Sequence, residues 1–250
     1  MKYVNFKILF IPPLIIFLIV LTWQIPQTRT LWNLLDIKTF YFLNQWIQKN
    51  VFWQHFWAFS GHLSMDWIHD GIMALFFFLN IRAAPKILKN RKIAELIFAA
   101  FFITFSISLI NGFIFPEYLN ISRPSPTVVH QEAFRLSKVI HWIKVKDHSG
   151  KSFPGDHATT AALFSCIIFY TMGWKKGLLS VLYAIFFCLP RLIVGAHWLT
   201  DVLMGSLTIA ILMSSLAFGT PLAKILIGFV ERALKKVLRK NSSEKEELSV

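Results

Sequence analysis

Long apolar stretches alternate with short polar segments along most of the chain. Each apolar stretch predicts a helix that crosses a membrane, because about 20 apolar residues in helical conformation span a bilayer. These stretches lie near residues 8–23, 67–82, 93–115, 157–173, 177–192 and 198–217. The pattern therefore predicts an all-α, polytopic membrane protein built on a bundle of six transmembrane helices.

Composition and charge fit this prediction. Of the 250 residues, 55% are hydrophobic, yet the formal net charge is +13. Many basic residues lie beside the apolar stretches, with large groups at 82–92 and 224–245. Because an excess of Lys and Arg in short loops marks the cytoplasmic side, both termini are predicted to be cytoplasmic. The positive charge is attributed to anionic membrane lipids, and nucleic acid is excluded as a partner.

The other segments predict the domain organisation. Residues 1–220 form one membrane domain, whose first apolar stretch lacks a cleavage site and is predicted to be a retained span. Aromatic residues at helical spacing in 24–66 predict outer helices along the membrane interface, with packing over the bundle as an equal alternative. The loop 116–156 exceeds ordinary loop length, so it is predicted to belong to the active site. Residues 221–250 form a basic, amphipathic cytoplasmic tail.

Two polar clusters carry the candidate chemistry. One is the run Ser-Phe-Pro-Gly-Asp-His at 152–157, and the other has the spacing Arg-x5-His-x3-Asp, from Arg191 through His197 to Asp201. An Arg-Pro pair begins at Arg123. Histidine can act as a nucleophile or a proton donor, and guanidinium groups bind phosphate oxygens with paired hydrogen bonds. These residue types together predict a phosphoryl-transfer site.

The spacing predicts individual roles. His197 and Asp201 are four residues apart, so on a helix they share a face. The carboxylate would then hold one imidazole nitrogen and leave the other free to attack. His157 opens the fourth span, where Gly155 permits close approach of the backbone to a phosphate and helix N–H groups favour an anion. In the six-span topology Arg123 and Arg191 lie at the same outer face as these residues.

Several other reactive residues receive no catalytic role. His69 and Asp70 are assigned to the membrane interface, with an extension of the site as the alternative. Cys166 and Cys188 both fall inside predicted spans, which argues against a disulfide or a zinc site. The chain has no His-Glu-x-x-His pattern, so no metal is predicted. Three further histidines are interpreted as ordinary loop residues: His130, His141 and His148.

The motifs resemble those of the phosphatidic acid phosphatase type 2 superfamily, whose signatures are Lys-x6-Arg-Pro, Pro-Ser-Gly-His and Ser-Arg-x5-His-x3-Asp. Arg123 with Pro124 is similar to the end of the first signature, 154–157 to the second and 191–201 to the third. Pro116 stands where the first signature has lysine.

The resemblance implies a set of phosphate-binding residues around the two histidines. The expected set comprises Arg123, Arg191, Gly155, Asp156 and Lys151. Lys151 or Lys146 is the candidate to replace the missing lysine. The third signature departs as well, since Pro190 stands at its serine position, and Gly155 and Asp156 replace the Ser and Gly of the second.

Further runs resemble one branch of this superfamily, the lipid A phosphotransferases of the Gram-negative inner membrane. These runs are at 36–45, 125–127, 152–157 and 195–201. The branch implies transfer of phosphate, without a cofactor, from undecaprenyl pyrophosphate to the 1-phosphate of lipid A at the periplasmic face. In that mechanism His197 forms a phosphohistidine, Asp201 orients the imidazole and His157 protonates the leaving lipid phosphate.

The motifs leave the acceptor open. With water as the acceptor, the same site would make a lipid phosphatase for undecaprenyl pyrophosphate or phosphatidylglycerophosphate. A vanadate-dependent haloperoxidase shares the motif chemistry but is soluble, so the apolar stretches disfavour it. A channel or transporter is disfavoured because transport sites lie near the membrane midplane, whereas these charges cluster at one surface.

Overall fold

The computed structural model describes residues 4–119 and 121–247, and all regular elements in that part are helical. The α-helices are α1 Phe6–Gln24, α2 Pro26–Gln48, α3 Val51–Ser60, α4 Leu63–Ala83, α5 Lys89–Leu109, α6 Pro126–Val129, α7 Asp156–Met172, α8 Trp174–Ile193, α9 Leu207–Gly219 and α10 Leu222–Glu247. Two π-helical segments, Ile110–Leu119 and Asp201–Ser206, continue α5 and precede α9, and two 3-10 turns are Lys86–Leu88 and Leu136–Lys138. The predicted all-α class is confirmed.

Helices occur at all of the predicted spans, but they differ in apolar length. Within the described residues, 4 helices are long and apolar enough to cross a membrane: Phe6–Gln24, Lys86–Leu119, Trp174–Ile193 and Asp201–Gly219. The helices at the second and fourth predicted spans fall short. α7 has only 17 residues, and α4 carries Asp66 and Asp70 in its first two turns. The chain is a membrane protein, and the count of six spans stays a prediction.

The helix α7 lies at the centre of the bundle. Its side chains Leu163, Phe164, Ile167 and Ile168 are fully buried among residues of α4, α5, α9 and α10. On the periphery, α1 packs along α9 so closely that a Cβ atom on Gly219 would lie 2.8 Å from the Cα atom of Leu9.

The segment 24–66 is helical, as expected, and its longest helix, α2, buries a stripe of two polar and two apolar residues. Asp36, Phe40, Asn44 and Ile47 are the buried residues of α2. The Asn44 side chain donates from Nδ2 to the carbonyl oxygen of Ile193 at 3.3 Å. The helix α2 is thereby hydrogen-bonded to the end of α8. Whether these helices lie along the membrane interface stays a prediction.

The long loop begins later than predicted, and the tail is helical. The segment preceding the loop remains π-helical through Pro116 to Leu119, so the loop begins later than predicted. The predicted amphipathic tail forms α10, which packs against α5 through Ala223 and Ile227. An ion pair of 3.6 Å between Arg91 Nη1 and Glu231 Oε2 adds to this contact.

Candidate active site

The segment 152–157 approaches α7 along a closely packed path. The ring of Phe153 is buried and stacks on Trp23, with the ring centroids 5.6 Å apart. Behind the segment, a Cβ atom on Gly205 would come within 2.9 Å of both Phe153 Cε2 and Pro154 Cβ. The absence of a side chain at Gly205 therefore allows the segment to rest directly on the π-helical turn before α9.

Gly155 is the N-cap residue of α7, and its Cα faces the imidazole ring of His197. A Cβ atom on Gly155 would lie 3.3 Å from His197 Cε1 and 3.4 Å from its Nδ1. No side chain caps the N–H groups of this helix start. These N–H groups carry partial positive charge, so the imidazole of His197 lies beside a position that favours an anion.

A tight turn after α8 sets Arg191 and His197 at a fixed spacing. The carbonyl oxygen of Arg191 accepts hydrogen bonds from the N–H groups of Ala196 at 2.9 Å and His197 at 3.4 Å. Gly195, inside this turn, has a φ of +77° and a Cβ atom there would lie 2.6 Å from Thr127 Cγ2. Both features require glycine at this position. The turn brings Arg191 and His197 close together.

The imidazole of His197 is oriented by a main-chain carbonyl. Its Nδ1 donates to the carbonyl oxygen of Ser152 at 2.7 Å, whereas Asp201 Oδ2 lies 3.7 Å from the same nitrogen. The two side chains are neighbours as expected, but they do not share a regular helical turn, because His197 lies in a bend that precedes the helix and Asp201 Oδ2 accepts from the N–H of Trp198 at 2.8 Å. The role of His197 as nucleophile stays a prediction. With the proton on Nδ1, Nε2 carries a lone pair that can attack phosphorus.

Arg123 lies on the Nδ1 side of His197, with Asp201 between the two side chains. Its Nη1 is 2.6 Å from Asp201 Oδ1 and its Nη2 is 2.6 Å from Asp36 Oδ2. Asp36 also accepts from the N–H of Thr200 at 2.9 Å and from its hydroxyl at 2.5 Å. This differs from the predicted phosphate contact of Arg123. Two carboxylates neutralise the guanidinium, and the resulting network fixes the Thr200–Asp201 pair from behind.

Arg191 and His157 form a second, adjoining group with Asp66. His157 Nε2 lies 3.0 Å from Arg191 Nη2 and 3.2 Å from Asp66 Oδ2. Arg191 Nη2 is also 3.4 Å from Asp66 Oδ1, and Arg191 Nη1 donates to the carbonyl oxygen of Gly61. The guanidinium thus reaches from the end of α8 to the start of α4, and it also contacts His157, the predicted acid, on α7.

Asp66 is ionised in this setting. It lies just before the predicted second span. Partial burial acts to raise the pKa of its carboxyl group, but the hydrogen bond with His157 and the charge of Arg191 lower the pKa below its ordinary value. Asp66 is therefore a negative charge among groups that otherwise favour a phosphate.

The other predicted site residues lie outside these two groups. The carboxylate of Asp156 accepts a hydrogen bond from Asn111 Nδ2 at 2.9 Å, and Lys151 is exposed on the loop. Their phosphate contacts stay predictions. His69 is buried in α4 rather than placed at the surface, and its Nδ1 lies 2.8 Å from the hydroxyl of Tyr183.

Comparison with known proteins agrees with this geometry. The sequence pattern of the PAP2 superfamily matches residues 96–225, which include both histidines and both arginines of the site. The chain belongs to the PAP2 superfamily. It is similar to lipid A 1-diphosphate synthase of Escherichia coli (strain K12), with 28% identity over 217 residues that cover 86% of this chain and 88% of that protein. No solved structure matches the chain. This PAP2 member is thus a membrane enzyme of the lipid phosphatase and phosphotransferase type.

Sequence reasoning assigned no role to two carboxylates that the structure brings into the site. Asp36 and Asp66 both lie outside the residues that match the PAP2 superfamily. A signal for Asp36 exists in the helical repeat, since it lies four residues before Phe40 and eight before Asn44 on the buried stripe of α2. Asp66 lies one turn before His69, on the same face of α4. Neither pattern predicts that Asp36 contacts Arg123 or that Asp66 contacts Arg191.

Proposed function

We propose that this PAP2 enzyme transfers a phosphate group from undecaprenyl pyrophosphate to the 1-phosphate of lipid A at the periplasmic face of the bacterial inner membrane. The products are lipid A 1-diphosphate and undecaprenyl phosphate. The orientation of His197, with Nδ1 bound to Ser152 and Nε2 free, carries the proposed reaction type. The likeness to lipid A 1-diphosphate synthase over most of both chains supports the choice of substrates.

The first step cleaves the donor. Nε2 of His197 attacks the terminal phosphorus, a P–N bond forms and the P–O bond of the anhydride breaks. His157 gives a proton to the leaving undecaprenyl phosphate. Arg191 and the N–H groups at the start of α7 hold the phosphoryl oxygens, where charge accumulates in the transition state.

The second step delivers the phosphoryl group to the acceptor. A phosphate oxygen of lipid A attacks the phosphohistidine, the P–N bond breaks, and His157 takes any proton that the acceptor releases. Because the donor already contains an anhydride bond, its cleavage supplies the free energy of transfer. Asp201 holds the turn that presents His197, in cooperation with Arg123.

A cavity beside the site supports an amphipathic substrate. It has a volume of about 460 Å³ and lies between α4, α5 and α7, with Asp70 and Thr160 at its polar part. Apolar side chains form most of the remaining wall, including Met73, Phe77, Leu96, Ile103, Ile107 and Phe164. A hydrocarbon chain that entered this cavity would place its headgroup near the start of α7.

Lipid phosphatase activity is the second candidate, because the same nucleophile and arginine serve water as acceptor. The test uses purified protein, undecaprenyl pyrophosphate labelled at its terminal phosphate, and lipid A. Label on lipid A supports transfer, whereas free phosphate alone supports hydrolysis and contradicts the proposed acceptor.

Replacing the nucleophile tests the covalent step in the same assay. His197→Gln should reduce both label transfer and phosphate release to background, because the proposed P–N bond forms on its Nε2. The matched control is His148→Gln, since the side chain of His148 is 56% exposed on the loop and should leave activity unchanged. Full activity of His197→Gln with pure lipids would eliminate the phosphohistidine.

A further inference from the structure

We propose that Asp66 is a positioning residue for His157, which keeps a proton on Nε2 of the imidazole once a phosphate group has engaged Arg191. This inference rests on the proposed role of His157 as the acid, and it concerns the protonation of one side chain rather than the identity of the lipids. Asp66 lies on α4, outside the residues that match the PAP2 superfamily.

The argument begins with the two neighbours of one nitrogen. His157 Nε2 has Arg191 Nη2 at 3.0 Å and Asp66 Oδ2 at 3.2 Å. A guanidinium only donates hydrogen bonds, and a carboxylate only accepts them. Nε2 can therefore accept from Arg191 when it is unprotonated or donate to Asp66 when it is protonated, but it cannot do both.

Substrate binding changes this balance. In the empty site Arg191 faces both His157 and Asp66, which is 3.4 Å from Arg191 Nη2. A phosphate offers the guanidinium a more highly charged partner and draws it away from Nε2. Asp66 then remains as the neighbour of Nε2, and only a ring with a proton on Nε2 can donate a hydrogen bond to it. The negative charge of Asp66 favours the doubly protonated, positively charged ring over the neutral one. The proton comes from water, and the acid form needed for leaving-group departure is produced as the donor binds.

Several other charged or titratable groups surround His157. From α4 it faces Asp66; further along the same helix lie His69, which is buried, and Asp70, which is exposed. From α8 it faces Arg191, and from its own helix the neighbouring Asp156, whose carboxylate is bound to Asn111. His197 lies across Gly155. Among these groups Asp66 is the carboxylate in hydrogen-bond distance of the imidazole.

The decisive measurement is the titration of His157 by nitrogen NMR in protein labelled at histidine, with His157→Gln used to assign the signal. Asp66→Asn keeps the shape of the side chain but removes its charge, and it should move the titration midpoint to lower pH, because the cationic ring loses its neighbouring negative charge. Asp70→Asn is the matched control one turn along α4, and it should move the midpoint much less. Equal midpoints in the wild type and Asp66→Asn would overturn the proposal.

A second measurement, on the wild-type protein, tests the proposal without depending on the folding of a variant. With orthovanadate bound as a phosphate analogue, the NMR signals of Nδ1 and Nε2 should both be those of protonated nitrogens at the pH of maximal activity. An unprotonated Nε2 under these conditions would contradict the proposal. Since vanadate is the probe, this result does not depend on which lipids are the substrates.

Activity measurements distinguish positioning from a simple structural tie between α4 and α8. In Asp66→Asn the alkaline limb of the profile of kcat against pH for donor cleavage should move to lower pH, and Asp66→Glu should restore part of the shift. A structural role would lower kcat equally at all pH values. Phosphate release counts as cleavage in this assay, so the outcome stands even if water is the acceptor and lipid A is not.

Discussion

Replacing Asp36 with asparagine separates two roles for Arg123. The family resemblance predicts that Arg123 binds phosphate, whereas the structure places its guanidinium between Asp36 and Asp201 at 2.6 Å from each. Asparagine at position 36 keeps one oxygen for the N–H of Thr200 but removes the negative charge. If Arg123 holds Asp201 from behind, the substitution loosens the turn that presents His197.

The size of the effect follows from the burial of this pair. The side chains of Asp36 and Arg123 are 1% and 18% exposed, so solvent screens the interaction only weakly. A hydrogen bond to a charged group contributes about 1.5–3 kcal/mol. If a loss of about 2 kcal/mol falls on the active geometry, kcat should drop about 30-fold, since each 1.4 kcal/mol corresponds to a factor of about ten. KM for the donor should change little, because Asp36 does not face the attacking nitrogen.

A double-mutant cycle on kcat for donor cleavage tests this reasoning. Arg123→Gln alone should produce a loss at least as large as that of Asp36→Asn, and the double variant should resemble Arg123→Gln, because the two side chains act through one contact. Thermal unfolding of each variant controls for loss of fold. Additive losses, or an Arg123→Gln variant that raises KM and leaves kcat unchanged, would refute the positioning role and restore Arg123 to the phosphate.

Two glycines give predictions of opposite kind. Gly155→Ala places a Cβ atom 3.3 Å from His197 Cε1. It should leave the melting temperature nearly unchanged and lower kcat about tenfold, because the added atom displaces the nucleophile. The control is Gly71→Ala, which has no atom within 4 Å of its Cβ, and equal kcat values for the two variants would contradict the contact. Gly195→Ala, at a φ of +77° and 2.6 Å from Thr127 Cγ2, should destabilise the protein by about 2 kcal/mol or more, and an unchanged melting temperature would show that the turn is not strained.

The helices of this protein can be predicted from the apolar pattern because that pattern is local. The predicted spans 93–115 and 177–192 fall within the helical segments Lys86–Leu119 and Trp174–Ile193. The start of α7 was also predictable, since Pro154 and Gly155 interrupt the helix before Asp156. The ends are less predictable. Pro116 suggested a boundary, yet a π-helical segment continues past it.

The arrangement of the site was only partly predictable, because spacing reports neighbours along the chain and not contacts between distant segments. The turn from Arg191 to His197 is local, and both residues lie in the site as expected. The bond that orients His197 comes from Ser152, 45 residues away, and a main-chain carbonyl leaves no trace in residue identity. The contact of Arg123 with Asp36 spans 87 residues and joins a loop to an outer helix.

The two arginines of the candidate site are held by carboxylates that differ in distance and burial, and we expect the two arginines to act differently. A buried guanidinium without a partner is costly, so a phosphate site of low polarity requires resident negative charges while it is empty. Arg123 is bound by Asp36 and Asp201 at 2.6 Å, and both carboxylates are almost fully buried. Arg191 meets Asp66 at 3.4 Å, and the side chain of Asp66 is 25% exposed. An incoming phosphate can replace the long, hydrated contact more readily than the short, buried ones. Exchange of partners is therefore expected at Arg191, while Arg123 keeps its carboxylates throughout the reaction.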